Sequence, residues 1–234
     1  MGRIVAIAGG DLDSIRKLNL HAIALTKKSY PNVLFIGTAS RDSESYIQSI
    51  TQEYNRFGCE AKSLCLITKS YEDGEIDALL AWADIIFVGG GDTISMMQIW
   101  KQHGLDQKLK TLYEKDLAVL TGISAGAICW FNCGHSDSES FHNQENWQFC
   151  WANGMLNLIS MAYCPHYNEA GRNSFDAMLQ QKDMVGIAME NDTAFVENNG
   201  QQYFIRSNPA AKAFCLQYQN NLLEKQEVLF ENLD

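Results

Sequence analysis

The chain has 234 residues, of which 46 % are hydrophobic and 20 % are charged, and this composition excludes an intrinsically disordered protein. Its 28 acidic and 18 basic residues give a formal charge of −10 without a Lys/Arg cluster, so we expect neither nucleic acid nor a membrane as partner. The N-terminal apolar run is too short for a secretion signal, and no stretch reaches the roughly 18 apolar residues that cross a bilayer. We therefore expect a cytoplasmic protein whose seven cysteines are reduced.

Short apolar segments alternate with amphipathic ones along the first three quarters of the chain. The segments predicted as strands are Ile4–Ala8, Val33–Thr38, Ser63–Ile67, Ile85–Val88, Ala118–Thr121 and Ser160–Cys164. The predicted helices are Ser43–Phe57, Ile76–Trp82, Thr93–Trp100, Leu105–Lys115, a short one reaching Phe131, and Glu169–Gln181. Strands that are apolar on both faces, with helices between them, predict a doubly wound, mostly parallel sheet with helices on both faces.

Two later regions depart from this alternation. The polar and aromatic segment His135–Trp151 has no clear period, so we interpret it as a long loop in which His135 and His142 are solvated. The last quarter contains short predicted strands separated by turns: Gly186–Met189, Thr193–Glu197, Gln201–Ile205, Ala213–Tyr218 and Leu222–Phe230. We expect these strands to form an antiparallel C-terminal extension of the same sheet, within a single α/β domain spanning residues 1–234.

A nucleophile motif lies between a predicted strand and a predicted helix. The sequence Gly122-Ile123-Ser124-Ala125-Gly126 has the G-x-S-x-G pattern, in which a sharp turn exposes the serine hydroxyl. The N–H of Ala125 would then face a developing oxyanion at the start of the helix. Gly, Ser and Ala are also common at ordinary strand–helix turns, so the pattern alone is weak.

A second glycine-rich turn, Gly89-Gly90-Gly91-Asp92-Thr93, also follows a predicted strand. It matches neither the Walker loop nor the dinucleotide fingerprint. We interpret Gly90 and Gly91 as the other half of an oxyanion hole, because glycines let backbone N–H groups approach a ligand closely. Asp92 and Thr93 fit either a substrate contact or the cap of the following helix.

A nucleophilic serine requires a general base, and His166 is the best placed histidine because it also follows a predicted strand. A carboxylate should orient it. We favour Glu190, then Asp192, which follow the predicted strand Gly186–Met189; Asp137 and Glu139 are the other candidates.

The seven cysteines include no Cys-x-x-Cys pair, so we expect neither a metal site nor a cofactor. Their expected role is to fill the core.

Four motifs together resemble the dipeptidase E and cyanophycinase family of serine peptidases. They are Gly89–Thr93, Gly122–Gly126, Cys164-Pro165-His166-Tyr167 and Met189–Ala194, in this order along the chain. The resemblance implies a fold like that of class I glutamine amidotransferases, with serine in place of the nucleophilic cysteine. It also implies hydrolysis of small peptides with an aspartyl residue on the amino side of the cut.

The resemblance also implies roles for individual residues. Ser124 would be the nucleophile and His166 the base, and Gly90–Gly91 with the Ala125 N–H would form the oxyanion hole. Arg172 would face the aspartyl carboxylate of the substrate.

The resemblance leaves the third triad member open. The carboxylate of cyanophycinase-like members aligns closer to Asn191, and the aspartate assigned in dipeptidase E falls on Glu139.

Two other functions remain possible from the sequence. An esterase or acyl transferase with the order serine, acid, histidine would use Asp137 or Glu139. A catalytically inactive module would only bind a small molecule. In every case we expect a small-molecule or peptide ligand and a monomer or homodimer.

Overall fold

A computed structural model of the chain describes residues 2–143, 145 and 147–233, and fourteen β-strands and seven α-helices lie within these residues. The strands are β1 (Arg3–Ile7), β2 (Asn32–Ile36), β3 (Glu60–Leu64), β4 (Ile85–Val88), β5 (Val119–Ile123), β6 (Phe131–Ser136), β7 (Cys150–Asn153), β8 (Ile159–Cys164), β9 (Gly186–Met189), β10 (Thr193–Asn198), β11 (Gln201–Arg206), β12 (Ala213–Gln219), β13 (Leu222–Glu227) and β14 (Phe230–Glu231). The helices are α1 (Arg16–Leu25), α2 (Glu44–Arg56), α3 (Glu75–Trp82), α4 (Thr93–Gln102), α5 (Leu105–Glu114), α6 (Ala125–Ile128) and α7 (Ser174–Leu179). Among these helices of the described part, none combines the length and apolarity that crossing a membrane requires.

The larger sheet has the strand order β14-β11-β10-β1-β5-β4-β2-β3. β1, β5, β4, β2 and β3 are parallel, and β10 joins β1 in antiparallel register. The parallel strands are joined through helices, as the alternating sequence predicts. Their carboxyl ends therefore meet at one edge of the sheet.

The smaller sheet has the order β13-β12-β9-β8-β6-β7 and is parallel only through β6, β8 and β9. The later strands do not simply extend the first sheet: β10, β11 and β14 belong to it, whereas β9, β12 and β13 belong to the second. The chain therefore crosses between the sheets at Glu190–Asp192, between β9 and β10. The predicted fold class, a mostly parallel α/β sheet with helices on both faces and antiparallel strands at the C-terminal end, is confirmed.

The central strands of the larger sheet, β10, β1, β5, β4 and β2, are buried on both faces, as their apolar sequences predict. On one face, Val5 and Phe35 pack against α1 and α2 through Leu18 and Tyr54. The residues that contact the opposite face come from α4, α5 and the second sheet and include Met96, Trp100, Leu109, Phe131 and Tyr163. The second sheet therefore lies against the same layer that carries α4 and α6.

Several predicted elements have different bounds in the structure. The strand expected over Leu222–Phe230 is divided into β13 and the start of β14, which belong to different sheets. The helix expected over Glu169–Gln181 is restricted to α7, because Gly171 has φ +81° and the residues before Ser174 form turns. The helix expected to reach Phe131 ends at Ile128, and Phe131 begins β6. The strand expected over Ser63–Ile67 is β3, three residues earlier.

Candidate active site

Three neighbouring parallel strands end side by side, and the segments that follow them meet at this edge. β1 leads to Gly9, β5 to Ser124 and β4 to Gly89–Gly91, while β8 of the second sheet leads to His166. The carboxyl edge of a parallel sheet is where α/β proteins bind ligands. The two strongest predictions from the sequence, Ser124 and His166, therefore lie at this edge.

Ser124 adopts the strained backbone of a nucleophile elbow, with φ +56° and ψ −117°. A non-glycine residue rarely has a positive φ, and such strain clusters at functional sites. The Ser124 N–H donates to the Ile7 carbonyl, and the Ser124 carbonyl accepts from the N–H groups of Ala127 and Ile128. These bonds fix the turn and leave the hydroxyl outside the helix.

The two flanking glycines let the elbow fit between strands β5 and β4. A Cβ at Gly122 would lie 2.2 Å from the Gly126 carbonyl oxygen, and a Cβ at Gly126 would lie 2.2 Å from the Val88 carbonyl oxygen. Both contacts are with backbone, which cannot move aside as a flexible side chain does. The spacing of the glycines therefore follows from close packing of strand, turn and helix.

The imidazole of His166 bridges Ser124 and Asn191. His166 Nε2 lies 2.8 Å from Ser124 Oγ, and His166 Nδ1 lies 2.7 Å from Asn191 Oδ1. An amide oxygen only accepts hydrogen bonds, so Nδ1 carries the proton and Nε2 presents its lone pair to the serine hydroxyl. This tautomer is the one a general base requires.

Asn191 is in turn held by Glu169, which also approaches the imidazole. Asn191 Nδ2 donates to Glu169 Oε1 at 3.0 Å, and the same carboxylate oxygen lies 3.2 Å from His166 Nδ1. The backbone N–H of Asn191 donates to Asn168 Oδ1. Only one orientation of the amide lets Asn191 accept from His166 and donate to Glu169, so the network fixes it.

The environment of His166 favours the neutral imidazole. Burial lowers the pKa of His166 below its ordinary value of 6.5, and the positive charge of Arg172 acts in the same direction. Glu169 opposes burial through its negative charge, and the hydrogen bond that His166 Nδ1 donates to Asn191 Oδ1 also raises the pKa. The imidazole is therefore uncharged at neutral pH and able to accept a proton.

The glycine turn after β4 lies directly beside the serine. A Cβ at Gly90 would lie 3.3 Å from Ser124 Cβ, and Gly91 has φ +137° with its backbone against the Ala39 carbonyl. The Gly90 N–H points to the Tyr46 hydroxyl at 3.5 Å, which is long for a hydrogen bond. Ala125 begins α6, and the first N–H groups of a helix have no partner within it. Polar N–H groups thus flank Ser124 from two elements.

The carboxylates predicted to orient His166 have other partners, which corrects the sequence expectation. Glu190 Oε2 accepts from the backbone N–H of Lys212, because successive residues at the end of β9 point in opposite directions. Asp192 accepts from Asn208, and Glu139 accepts from the backbone N–H of Gln148. Asp137, the remaining candidate, pairs with Arg172. The structure brings Asn191 and Glu169 to the histidine instead.

Asp92 and Thr93 have structural roles. Asp92 caps α4 by accepting from the N–H groups of Ile94 and Ser95, and it also accepts from the Ser95 hydroxyl. Burial alone would raise the pKa of this carboxyl, but hydrogen bonds from Ser95 and other neighbours hold it below its ordinary value. Thr93 is fully buried against Ser136. Of the two readings of this turn, these contacts favour the helix cap.

Arg172 is buried, in contrast to the expectation that it faces the substrate. Its guanidinium donates to the His135 carbonyl and to Asp137 Oδ2, and it stacks on the ring of Phe149. The side chain braces the segment after β6 against the turn that follows β8. A substrate carboxylate would have to compete with Asp137 for the same guanidinium.

The segment His135–Trp151 is only partly a loop. His135 lies in β6 and is fully buried, and burial together with Arg172 lowers its pKa to about 3. His142 is exposed, as expected, although its Nε2 contacts Asp92 Oδ2 at 2.9 Å. Gln144 and Asn146 lie outside the described residues.

The seven cysteines are all free thiols, and five of them are buried: Cys59, Cys65, Cys129, Cys133 and Cys164. This burial agrees with the predicted role in core packing. In the part of the chain that the structure describes, no group of three or more His, Cys, Asp or Glu side chains is arranged to hold a metal ion.

Comparisons with known proteins agree with this geometry. The model of peptidase family S51 matches residues 4–205. The chain is 29 % identical over 222 residues to the uncharacterized peptidase YgaJ of Bacillus subtilis (strain 168), which covers 92 % of this chain and 91 % of the relative.

Two solved structures share the fold. A peptidase from an acI-B1 Actinobacterium superposes with a TM-score of 0.72 at 20 % identity, over 99 % of this chain and 96 % of the other. A putative peptidase E protein from Listeria monocytogenes EGD-e gives a TM-score of 0.67 at 20 % identity, over 88 % and 98 %.

Gly9 is a site residue that the motif search missed, and its packing yields a test. A Cβ at Gly9 would lie 2.1 Å from Asn191 Oδ1 and 2.3 Å from His166 Nδ1. We expect Gly9→Ala to separate these two atoms and to lower the rate of Ser124 labelling by a fluorophosphonate about 100-fold, because small misplacements of a reacting group have effects of this size. The thermal melt should stay cooperative.

Gly186→Ala is the matched control, since its Cβ would clash with the side-chain ends of Leu179 and Phe175 instead. That variant should melt at a lower temperature but keep the labelling rate. Labelling of the Gly9 variant at the wild-type rate would show that the edge of β1 does not position His166.

Proposed function

The chain belongs to peptidase family S51 and is a serine peptidase, and we propose that it cleaves small peptides through an acyl-enzyme formed on Ser124. The observation that carries the proposal is the chain of contacts from Ser124 Oγ to His166 and from His166 to Asn191. A strained serine next to a neutral, oriented imidazole is the arrangement that activates a hydroxyl for attack on a carbonyl.

In the proposed cycle, His166 Nε2 both accepts and donates the transferred protons. His166 Nε2 takes the proton of Ser124 Oγ as the oxygen attacks the peptide carbonyl, and it then gives this proton to the leaving amine. Water then attacks the acyl-enzyme and loses a proton to the same nitrogen, which passes it to Ser124 Oγ as the bond between Oγ and the acyl group breaks. Ser124 Oγ and His166 Nε2 are already within hydrogen-bond distance, so no rearrangement of the pair is needed.

Asn191 and Glu169 act as positioning residues in this proposal. Asn191 fixes the ring and its tautomer, a task that a neutral amide oxygen performs as well as a carboxylate. Glu169 supplies the negative charge that stabilises the imidazolium formed during attack. The charge is 49 % exposed, so solvent weakens its effect on the histidine.

The oxyanion of the tetrahedral intermediate would be bound at the glycine turn. We propose the Ala125 N–H as one donor and an N–H of the Gly90–Gly91 segment as the second. Donors fixed by a helix start and by a glycine turn need no reorganisation as the charge develops. The contact between Gly90 and Ser124 supports this placement.

We propose an aspartyl residue on the amino side of the cut. The support is the resemblance of the four motifs to dipeptidase E, together with the charge of Arg172, which acts on His166 although the guanidinium is paired with Asp137. In a chain of net charge −10, an acidic substrate requires a local positive field at the site.

Replacement of the nucleophile tests the proposal most directly. We expect Ser124→Ala to lose at least about 10⁴-fold in kcat on an aspartyl dipeptide and to lose all labelling by a fluorophosphonate. The variant should keep the wild-type melting temperature within a few degrees, because it removes one hydroxyl from the surface of the turn. Retained hydrolysis by the purified variant would exclude Ser124 as nucleophile.

The pH profile tests the positioning residues. His166 acts when neutral and its pKa is lowered, so kcat/KM should fall only as the pH drops through a value below 6.5. Glu169→Gln removes a charge that raises this pKa. The acidic limb of the pH profile, where kcat/KM falls, should therefore move to lower pH, and kcat should decrease. Asn191→Asp places a carboxylate on Nδ1 and should move the limb upward, by about one pH unit.

Glu190→Gln is the control for charge removal near the site, since Glu190 contacts Lys212 and not His166. The acidic limb of the Glu190→Gln pH profile should coincide with that of the wild type. If Glu190→Gln moved the acidic limb of the pH profile and Glu169→Gln did not, the orienting role would belong to Glu190, as the sequence suggested.

A further inference from the structure

The backbone N–H groups of the glycine turn after β4 differ in whether a described residue accepts from them. Those of Gly89 and Asp92 donate to backbone carbonyls of β2 and of the segment that follows it, at 3.1 and 2.9 Å. The Gly90 N–H is directed at the Tyr46 hydroxyl. The Gly91 N–H has no acceptor among the described residues, and Gly91 is only half-buried, so this group is open to a ligand.

We propose that Tyr46 is a positioning residue of the oxyanion site: its hydroxyl holds the Gly90 N–H, so that the neighbouring Gly91 N–H faces the oxyanion of the tetrahedral intermediate. This inference rests on the proposed peptidase function. It divides the turn into an anchored N–H and a donor, and it gives a role to a side chain of helix α2 that no sequence motif indicated.

The glycine turn lies close enough to the nucleophile for this task. A Cβ at Gly90 would lie 3.3 Å from Ser124 Cβ and 3.8 Å from Ser124 Oγ. Val88 of β4 pairs with Gly122 of β5, so the segments that follow these two strands leave the sheet side by side. An oxyanion formed by attack of Ser124 therefore develops beside the turn.

The peptide unit between Gly90 and Gly91 has to be held in one orientation, because neither residue has a side chain that restricts its rotation. This unit carries the Gly91 N–H on one side and the Gly90 carbonyl on the other. If it rotated through half a turn, it would present the carbonyl oxygen in place of the N–H and would repel the oxyanion. Contacts on both sides of the unit are therefore needed to keep the donor in place.

The structure contains one contact on each side of this peptide unit. After it, a Cβ at Gly91 would lie 2.2 Å from the Ala39 carbonyl oxygen, so the backbone packs tightly there. Before it, the Gly90 N–H has only the Tyr46 hydroxyl as acceptor among the described residues, at 3.5 Å. Catalytic hydrogen bonds are often long without substrate and shorten in the reacting complex. The Tyr46 side is the weaker anchor, and its loss would let the unit rotate.

The ring of Tyr46 is fixed independently of its hydroxyl. It packs edge to face on Phe35 of β2, with the ring centroids 5.2 Å apart, and its Cε1 would lie 2.9 Å from a Cβ at Gly89. Burial raises the pKa of Tyr46, although the hydrogen bond from Gly90 acts in the opposite direction, so the hydroxyl is neutral. Tyr46→Phe therefore removes the contact with Gly90 and leaves the ring in place.

The kinetic test compares p-nitrophenyl acetate with its thionoester, in which sulfur replaces the carbonyl oxygen. Sulfur accepts hydrogen bonds weakly, so a fixed N–H donor favours the oxygen ester. We expect Tyr46→Phe to lower kcat on the oxygen ester about tenfold with little change in KM, because loss of a whole donor costs roughly 10²- to 10³-fold. The ratio of kcat/KM for the oxygen ester over the thionoester should fall by a similar factor. A purely structural change would slow both esters alike.

Tyr71→Phe is the matched control. The Tyr71 hydroxyl also accepts from a backbone N–H, that of Cys65 at 2.9 Å, but this contact follows β3, the edge strand furthest from β5 on that side of the sheet. The variant should melt at a lower temperature and keep the wild-type ratio. An unchanged ratio in Tyr46→Phe overturns the proposal, and so does an equal fall in Tyr71→Phe.

A spectroscopic measurement tests the assignment without a variant. Wild-type protein labelled with ¹⁵N-glycine is compared by NMR before and after a fluorophosphonate reacts with Ser124, which brings a phosphonyl oxygen to the oxyanion site. We expect the Gly91 amide proton to move downfield because it gains an acceptor, and the Gly90 amide to shift less. A larger shift at Gly90 overturns the proposal, because that N–H would then leave Tyr46 for the anion.

The same reagents separate this inference from the proposed function. If the wild type takes no fluorophosphonate label and reacts with p-nitrophenyl acetate no faster than Ser124→Ala does, the proposed acyl-enzyme fails and this inference fails with it. If the wild type is labelled and active while the ester ratio of Tyr46→Phe is unchanged, only the role of Tyr46 is overturned.

Discussion

The imidazole of His166, held between Ser124 Oγ and Asn191 Oδ1, is the contact on which the site depends. Its two partners come from different sheets: Ser124 follows β5 of the first sheet, and Asn191 lies where the chain leaves the second sheet for the first. The Asp192 N–H donates to the Gly9 carbonyl, and the Tyr167 N–H donates to the Met189 carbonyl. The first bond ties the connection between the sheets to the end of β1, and the second ties the turn that carries His166 to β9, so the position of the histidine depends on how the two sheets are docked.

Close packing of backbone at this edge explains why glycines surround it. Gly9, Gly122 and Gly126 each have backbone or catalytic atoms within 2.2 Å of the position where a Cβ would stand. Side chains there would separate β1, β5 and β4, or would push Asn191 from His166. The glycines are therefore needed for the approach of neighbouring segments, and Gly10 and Gly91 in this region also have a positive φ.

Local chemistry explains which parts of the site the sequence could predict. Ser124 and His166 follow apolar strands, and a parallel sheet brings such ends together, so their partnership could be predicted from pattern alone. The choice between Glu190 and Asn191 could not, because a shift of one residue reverses the direction of a side chain. Glu169 lies in a turn, whose conformation depends on tertiary contacts that no periodicity encodes. His135 was wrongly predicted to lie in a solvated loop for a related reason: its polar neighbours concealed strand β6, in which the buried imidazole contacts the hydroxyl of Ser174 from α7.

The use of an amide beside His166 has an electrostatic consequence for a peptidase that accepts acidic substrates. A carboxylate at position 191 would raise the pKa of the histidine and would add a buried negative charge close to the reacting carbonyl. With Asn191 at this position, the negative charge lies on the next residue of the hydrogen-bond chain, the half-exposed Glu169, where solvent screens it. The chain has a net charge of −10, so reducing the negative potential at the site matters more here than in a neutral protein. Within the proposed function, orientation of the base by a neutral amide favours acidic substrates, because it lessens the repulsion that an acidic acyl residue meets.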